Sequence, residues 1–276
     1  MEQDKRGRMP SLLHASARGR NRMQLILVVS YIFLFVLGLI IGSFLNVCIY
    51  RIPRGVSVAS GRSVCPGCGS MIHGYDNIPV LSYLLLRGKC RSCGARISPR
   101  YPLVELLTAG CFLLCGVRYG ISIETVLFCA FSAVLVAVAF IDIDTQEIPD
   151  RFHFIILGLG IAALFLVPEV GWISRLVGAA CISVPMLVIA LATDGFGIGD
   201  VKLMAVSGFL LGWKNIVFAA LAGAVLAAVC ALVLIALKRK TKKDKIAFGP
   251  YLAIALFTAA LFGDTIVSAY LSLFSL

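Results

Sequence analysis

The 276 residues are 60% apolar and only 14% charged, with a mean hydropathy of +0.97. Soluble domains are nearer half apolar and a quarter charged, so the composition excludes a soluble enzyme, a disordered chain and a secreted disulfide scaffold. The apolar residues run in long blocks rather than in alternation, which leaves an all-α polytopic membrane protein and not a β-barrel. The balance of 25 basic to 14 acidic residues gives +11. In a membrane protein that excess reads as cytoplasmic loop charge and implies no nucleic-acid partner.

Residues 1–22 carry six basic residues from Lys5 to Arg22 and read as an N-terminal extension that need not be ordered. The apolar run after them is too long for a signal-peptide core and has no small-residue cleavage site behind it. Residues 23–49 are therefore the first expected transmembrane helix. Residues 50–100 are polar, with eight basic residues against one acid, Asp76. Residues 101–276 return to the membrane, in apolar blocks at about 101–117, 122–141, 152–168, 173–192, 201–213, 216–237 and 247–263. Asp264 is expected to open an amphipathic tail. Eight segments result, of which 201–213 is short for a span.

Charge fixes the expected count. The run Lys238, Arg239, Lys240, Lys242, Lys243 and Lys245 belongs in the cytoplasm, as does loop 50–100. Eight crossings put both on one side, together with 142–151 and 193–200. The opposite loops hold only Arg118, Glu169 and Lys214. The cost is an extracytoplasmic basic N-terminus, and Met23 directly after it is an alternative start.

The polar loop holds Cys65-Pro-Gly-Cys68 and Cys90-Arg-Ser-Cys93, separated by 21 residues. Each Cys-x-x-Cys turn offers two thiolates, and four soft ligands suit tetrahedral zinc. Four protein ligands close the shell, so the expected zinc is structural rather than catalytic. A cytoplasmic loop disfavours disulfides as the alternative. The six other cysteines lie in apolar stretches, where the thiol is a small hydrophobe.

Acids at membrane depth are functional candidates. One cluster runs from Asp142 through Asp144 and Glu147 to Asp150, and a second has Asp194 and Asp200 around Gly195, Gly197 and Gly199. Asp150 follows Pro149 and reads as a cap or first-turn acid, Asp194 as a turn opener, and Asp200 alone reads equally as an N-cap. Asp142 ends a long apolar run with no cation nearby in sequence before Arg151. Asp142 and Asp144 point about 200° apart on a helix, so only one of them can meet Asp200. Two aspartates from different helices, sharing one proton beside a water, would make an aspartyl protease. A proton-coupled transporter would also place acids in its helices, but should show matching interrupted helices in two halves.

Five stretches carry a family resemblance: Gly42-Ser-Phe-Leu-Asn-Val-Cys-Ile-Tyr-Arg-Ile-Pro53; the two knuckles with Asn77-Ile-Pro-Val80 and Arg100-Tyr-Pro-Leu-Val-Glu105; Asp142 to Asp150; Gly197-Ile-Gly-Asp-Val-Lys202; and Phe248-Gly-Pro-Tyr-Leu-Ala253. Over about residues 25–264 the chain resembles the bacterial type IV prepilin peptidases. The resemblance implies an inner-membrane aspartyl endopeptidase, with its site near the cytoplasmic face, that removes the basic leader of prepilins and pseudopilins. It also implies N-methylation of the new N-terminus from S-adenosylmethionine, although no residue for that donor is legible and no Gly-x-Gly-x-x-G loop occurs in 50–100. On the family pattern the catalytic pair falls on Asp142 and Asp200, with Asp144 in reserve, and Cys65, Cys68, Cys90 and Cys93 are the metal ligands.

Overall fold

In a computed structural model of the chain, the described residues are 9–59, 61, 63–193, 197–237 and 247–273. The basic run at 238–246 and Asp194 lie outside them. Every expected apolar block is helical, and no β-strand longer than an isolated bridge occurs among the described residues.

Helix α1 spans Met9–Arg51, so its backbone extends back into the basic segment, and Met23–Arg51 is long and apolar enough to cross a membrane. It lies along α3 (Arg100–Tyr119). Gly38 and Gly42 permit that contact: a Cβ on Gly38 would stand 2.5 Å from Ala109 Cα, and one on Gly42 2.6 Å from Glu105 Cα. This is the small-xxx-small device by which membrane helices approach backbone to backbone. Between the two helices lies the polar loop, with a one-turn 3-10 helix at Gly74–Asn77 and the short α2 at Leu81–Leu85.

Helix α4 (Ile123–Thr145) starts at Ser122, whose hydroxyl accepts the Thr125 N–H, and stops at Gln146 in the left-handed region (φ 55°). It is the most buried of the membrane-length helices and packs against α1, α3, α5 and α10. Helix α5 (Asp150–Leu166) follows Pro149. Helices α6 (Trp172–Cys181) and α7 (Ser183–Thr193) are nearly continuous and together form one span. Helix α8 (Ile198–Leu211) leads through Gly212, at φ 82°, into α9 (Trp213–Ala236). Helix α10 covers Gly249–Ser272.

Among the described residues six helices have the length and apolarity to cross a membrane. Helices α5 and α8 are the shorter two of the eight blocks, at 17 and 14 residues. At 1.5 Å per residue they reach only about 26 and 21 Å, against a hydrocarbon core of roughly 30 Å. The tail expected from Asp264 is instead a continuation of α10. Asn215 Nδ2 donates to Asp264 Oδ1 at 3.1 Å, and Arg118 Nε and the Tyr119 hydroxyl donate to the carbonyls of Leu261 and Ala260. These bonds hold the helix where its polar residue enters.

The C-terminal ends of the two short helices meet at Arg175, which is 0% exposed. Its Nε donates to Val170 O at 3.0 Å; Nη1 to Leu210 O at 2.6 Å and Phe209 O at 3.4 Å; Nη2 to Ala163 O at 2.9 Å and Val167 O at 2.7 Å. Five guanidinium donors thus serve five carbonyls. The cation also sits at two helix C-termini, where the macrodipole is negative. Helix α6 brings Arg175 there by backbone contact: a Cβ on Gly178 would meet Gly208 O at 2.4 Å. Arg175→Met should leave these carbonyls dry, at about 1–3 kcal/mol for each one not rescued by water. Thermal unfolding in detergent should show a lower midpoint for the Met variant. Arg175→Lys, with three donors, should recover only part of the loss.

Candidate active site and metal centre

Asp142 lies in the last turn of α4 and is 4% exposed. Its Oδ2 accepts the Gly249 N–H at 2.8 Å, across 107 residues of sequence. Gly249 is the first residue of α10, followed by Pro250. A Cβ at 249 would stand 2.8 Å from Oδ2 and 2.9 Å from Cγ of Asp142. Only glycine lets the α10 N-terminus come this close, and that end of a helix favours an anion.

Asp200 is the third residue of α8 and is 9% exposed. The N-cap is Gly197, so the capping role weighed for Asp200 belongs to another residue. The carboxyl reaches back to the Gly197 N–H, as an acid at this helix position does in a capping box. Its Oδ1 is buried with no hydrogen-bond partner. Asp142 thus ends α4 and Asp200 opens α8, two helices that pack mainly on other neighbours.

The turn bearing Asp200 is held from α5. His153, 5% exposed, has Nε2 3.0 Å from Gly199 O. A carbonyl only accepts, so Nε2 carries the proton. Nδ1 lies 3.3 Å from Asp150 Oδ1, and Lys202 Nζ donates to the same oxygen at 2.7 Å. Asp150 is a first-turn acid of α5 that makes no side-chain cap; it ties α5 to α8. Ile148 backs the turn, since a Cβ on Gly199 would stand 3.1 Å from Ile148 Cβ.

Asp144 faces elsewhere. Its Oδ1 pairs with Arg100 Nη1 at 2.7 Å, and Arg100 Nη2 donates to Phe140 O at 2.9 Å. The cation missing from the local sequence thus comes from α3, and it goes to Asp144 rather than Asp142.

In the polar loop the Sγ atoms of Cys65, Cys68, Cys90 and Cys93 all lie within 4.8 Å of one another. The two knuckles fold alike. Gly69 N donates to Cys65 O at 2.8 Å and Gly94 N to Cys90 O at 2.9 Å, with φ of 69° and 71° at the two glycines. Antiparallel bridges Val64–Met71 and Lys89–Arg96 close the turns. A tetrahedron with Zn–S near 2.3 Å needs sulfurs about 3.8 Å apart, and Cys65 and Cys93 Sγ are 3.9 Å apart. The cluster therefore fits a zinc ion. Hydrogen bonds with the Ser70 side chain and backbone draw the Cys68 thiol down to about 6. Cys90 is lowered too, chiefly by the Cys93 backbone. At Cys93 the Ala95 backbone lowers the thiol, but hydrogen bonding with Cys68 and the other thiols outweighs it and carries Cys93 up to about 11. Crowded thiols that share protons in this way are relieved by a dication. His73 stacks on Tyr75 and takes no part in the cluster.

In the Phe248-Gly-Pro motif nothing local marks the role of Gly249, and His153 and Arg175 belong to none of the sequence motifs. The last had a signal, since an arginine within an apolar block is a functional or structural centre by default.

Residues 36–119 match the family model described as the bacterial peptidase A24 N-terminal domain, and residues 129–232 that of the type IV leader peptidase family. A Bacillus subtilis protein is 39% identical over 87% of this chain and 97% of its own length. Relatives in Pseudomonas putida and Pseudomonas aeruginosa are 36% and 34% identical over 86% and 85% of this chain and 92% and 91% of their own lengths. All three are named prepilin leader peptidase/N-methyltransferase. No solved structure matches the chain. With two family domains in tandem and relatives matched nearly end to end, the chain belongs to the type IV leader peptidase family of bacterial multi-pass membrane proteins.

Proposed function

We propose that the chain is an aspartyl endopeptidase of the bacterial inner membrane that cleaves the basic leader from prepilins and pseudopilins and then methylates the new N-terminus. The observation that carries the peptidase reading is the pair of buried carboxyls, Asp142 at the end of α4 and Asp200 at the start of α8. Nothing in the comparisons favours the transporter alternative. By the positive-inside rule the polar loop and the dyad end of the bundle face the cytoplasm.

Two close carboxyls retain one proton between them. The ionised one takes a proton from water, whose oxygen bonds to the scissile carbonyl carbon, while the protonated one polarises that carbonyl. Collapse of the tetrahedral adduct breaks the C–N bond, and the departing amine takes a proton from the dyad. Gly249 N–H holds Asp142 in place for this, and the Gly197 N–H and the His153–Gly199 contact hold Asp200. The four cysteines would hold zinc, which would support the loop fold and stand outside proteolysis. S-adenosylmethionine supplies the methyl group.

General acid–base groups contribute roughly 10²–10⁴-fold each. Asp142→Asn and Asp200→Asn should each abolish detectable cleavage of a prepilin by the membrane-embedded protein, at normal protein levels. The double variant should be no worse than either single, because the pair acts as a unit. Asp144→Asn and Asp150→Asn should lose far less. Near-normal cleavage by Asp200→Asn would overturn the dyad.

Gly249→Ala tests the clamp on Asp142. Displacing a reacting group by about 1 Å can cost roughly 10²-fold, so cleavage should fall by about that factor while methylation of a pre-cleaved pilin persists.

Elemental analysis of the purified protein should find about one zinc per chain, as one tetrahedron of thiolates requires. Cys65→Ser and Cys90→Ser should each lose it. Unchanged zinc content in both would remove the metal from the reading.

A further inference from the structure

A cavity of about 510 Å³ lies between the polar loop and the first turns of α3, against α1. That volume is in the range of small-molecule sites. Its wall includes the rings of Tyr50, Tyr83 and Tyr101, the amide of Asn46, and the carboxyl of Glu105.

Glu105 is the unusual member. It is 7% exposed. Its Oε2 accepts the Val80 N–H at 2.7 Å, and the Ser43 side chain also hydrogen-bonds the carboxyl. Both partners are neutral. Among the described residues no lysine, arginine or histidine forms an ion pair with it. Arg51, Arg91 and Arg96 line the same cavity, but Arg91 is spent on Asp76, with contacts of 2.6–3.1 Å, Arg51 donates to the carbonyls of Ser57 and Gly61, and Arg100 is spent on Asp144. Val80 is strained to reach Glu105: a β-branched residue at φ 59°, ψ −47° is a true backbone outlier. Strain of this kind persists only where surrounding structure enforces it, and it concentrates at ligand sites. A buried carboxylate needs a counter-charge. This one lines the cavity, and among the described residues no cation pairs with it.

We propose that this cavity binds the sulfonium methyl donor, with Glu105 as the counter-charge of the sulfonium. This rests on the N-methylation reading above and assigns the donor residues that reading lacks. S-adenosylmethionine carries a cation and a flat base on one small molecule, and the cavity offers Glu105, the one of its two carboxylates that has no arginine partner, beside three tyrosines. Position agrees with chemistry. Arg100, on the same helix as Glu105, bonds Asp144 and Phe140 O at the end of α4, so the cavity and Asp142 lie toward the same end of the bundle. In the transfer the amine lone pair forms the N–C bond. The C–S bond breaks with its electron pair passing to sulfur, which becomes a neutral thioether, and the amine releases a proton to water.

The charge on sulfur provides the test. Equilibrium binding of S-adenosylmethionine and of S-adenosylhomocysteine, its neutral thioether, is measured on the full-length, zinc-loaded protein in lipid nanodiscs. Hydrogen bonds and pairings to charged groups are the strong ones, so Glu105→Gln should weaken sulfonium binding by about tenfold or more and thioether binding by about twofold or less. Glu105→Asp, which keeps the charge, should retain the preference of the unmodified protein, and unchanged zinc content certifies the fold of each variant. An equal loss for both ligands would make Glu105 a wall of the cavity and overturn the pairing. Unchanged sulfonium affinity would also overturn it and leave the carboxylate to the acceptor's ammonium. Failure of the unmodified protein to bind either nucleoside would instead bring down the N-methylation reading itself.

Discussion

Lipid offers no partner to a free carbonyl, so a helix that ends inside a bilayer must be finished by the protein. Helices α5 and α8 are both too short to reach the far interface, and Arg175 finishes both with one side chain. The consequence is felt at the other end of α8. With its C-terminus pinned to α5 by Arg175, and its N-terminus pinned to α5 by His153–Gly199 and Lys202–Asp150, α8 has little freedom to slide or tilt. Asp200 sits in its first turn. The short helix is thus the means of placing an acid near a membrane surface rather than a defective span, and the guanidinium makes that length tolerable.

The second acid is fixed by different means. Asp142 comes at the end of α4, the most buried membrane-length helix, and its carboxyl is captured by the first N–H of α10. Two acids on two helices are therefore set by two further helices, α5 for Asp200 and α10 for Asp142. A dyad needs both carboxyls close, yet like charges at short range repel. A scaffold in which each acid is tied to its own N–H donor and its own neighbouring helix supports that arrangement without asking the two acids to attract each other. Asp144 lies only two residues from Asp142 and is removed from competition by Arg100, so that one acid of the cluster is left for the pair.

Much of this was legible in the chain. Apolar block length gave six of the eight blocks to within a few residues, because lipid imposes one composition on whatever it touches, but not the start of α1 or the end of α10. The cysteine spacing gave the four-thiol cluster, since two knuckles need only close packing to bring four sulfurs together. Helix phase separated Asp142 from Asp144. What stayed hidden depends on contacts distant in sequence. Gly249 is a glycine for the sake of a carboxyl 107 residues away, and no local pattern announces that. His153 acts through a backbone carbonyl, which carries no residue identity at all. The end of α10 was misjudged because Asp264 looks like a break in an apolar run, whereas Asn215, from another helix, receives it. The capping reading of Asp200 failed for a smaller reason: the glycine three residues earlier takes the cap, and the acid reaches back to it.

The polar loop packs on the end of α1 and on the first turns of α3, and the α3 contact explains why the chain needs Gly38 and Gly42. Arg100, Tyr101 and Glu105 face three ways from the first turns of the helix: toward the end of α4, toward α1 and toward the loop. Tyr101 O accepts the Asn46 Nδ2 at 3.1 Å, which registers α1 against the start of α3. The glycines let α1 press on the backbone of Glu105 itself. A bulkier residue at 42 would push the helices apart at the level where the carboxyl holds Val80, and the strained turn at Val80 would lose the partner that sustains it. The tight helix pair, the buried acid and the loop fold are one mechanical unit. Its far edge, through Arg100, is the helix end that carries Asp142. The first turns of α3 therefore join the four-cysteine loop to the end of α4, and repacking them would disturb both.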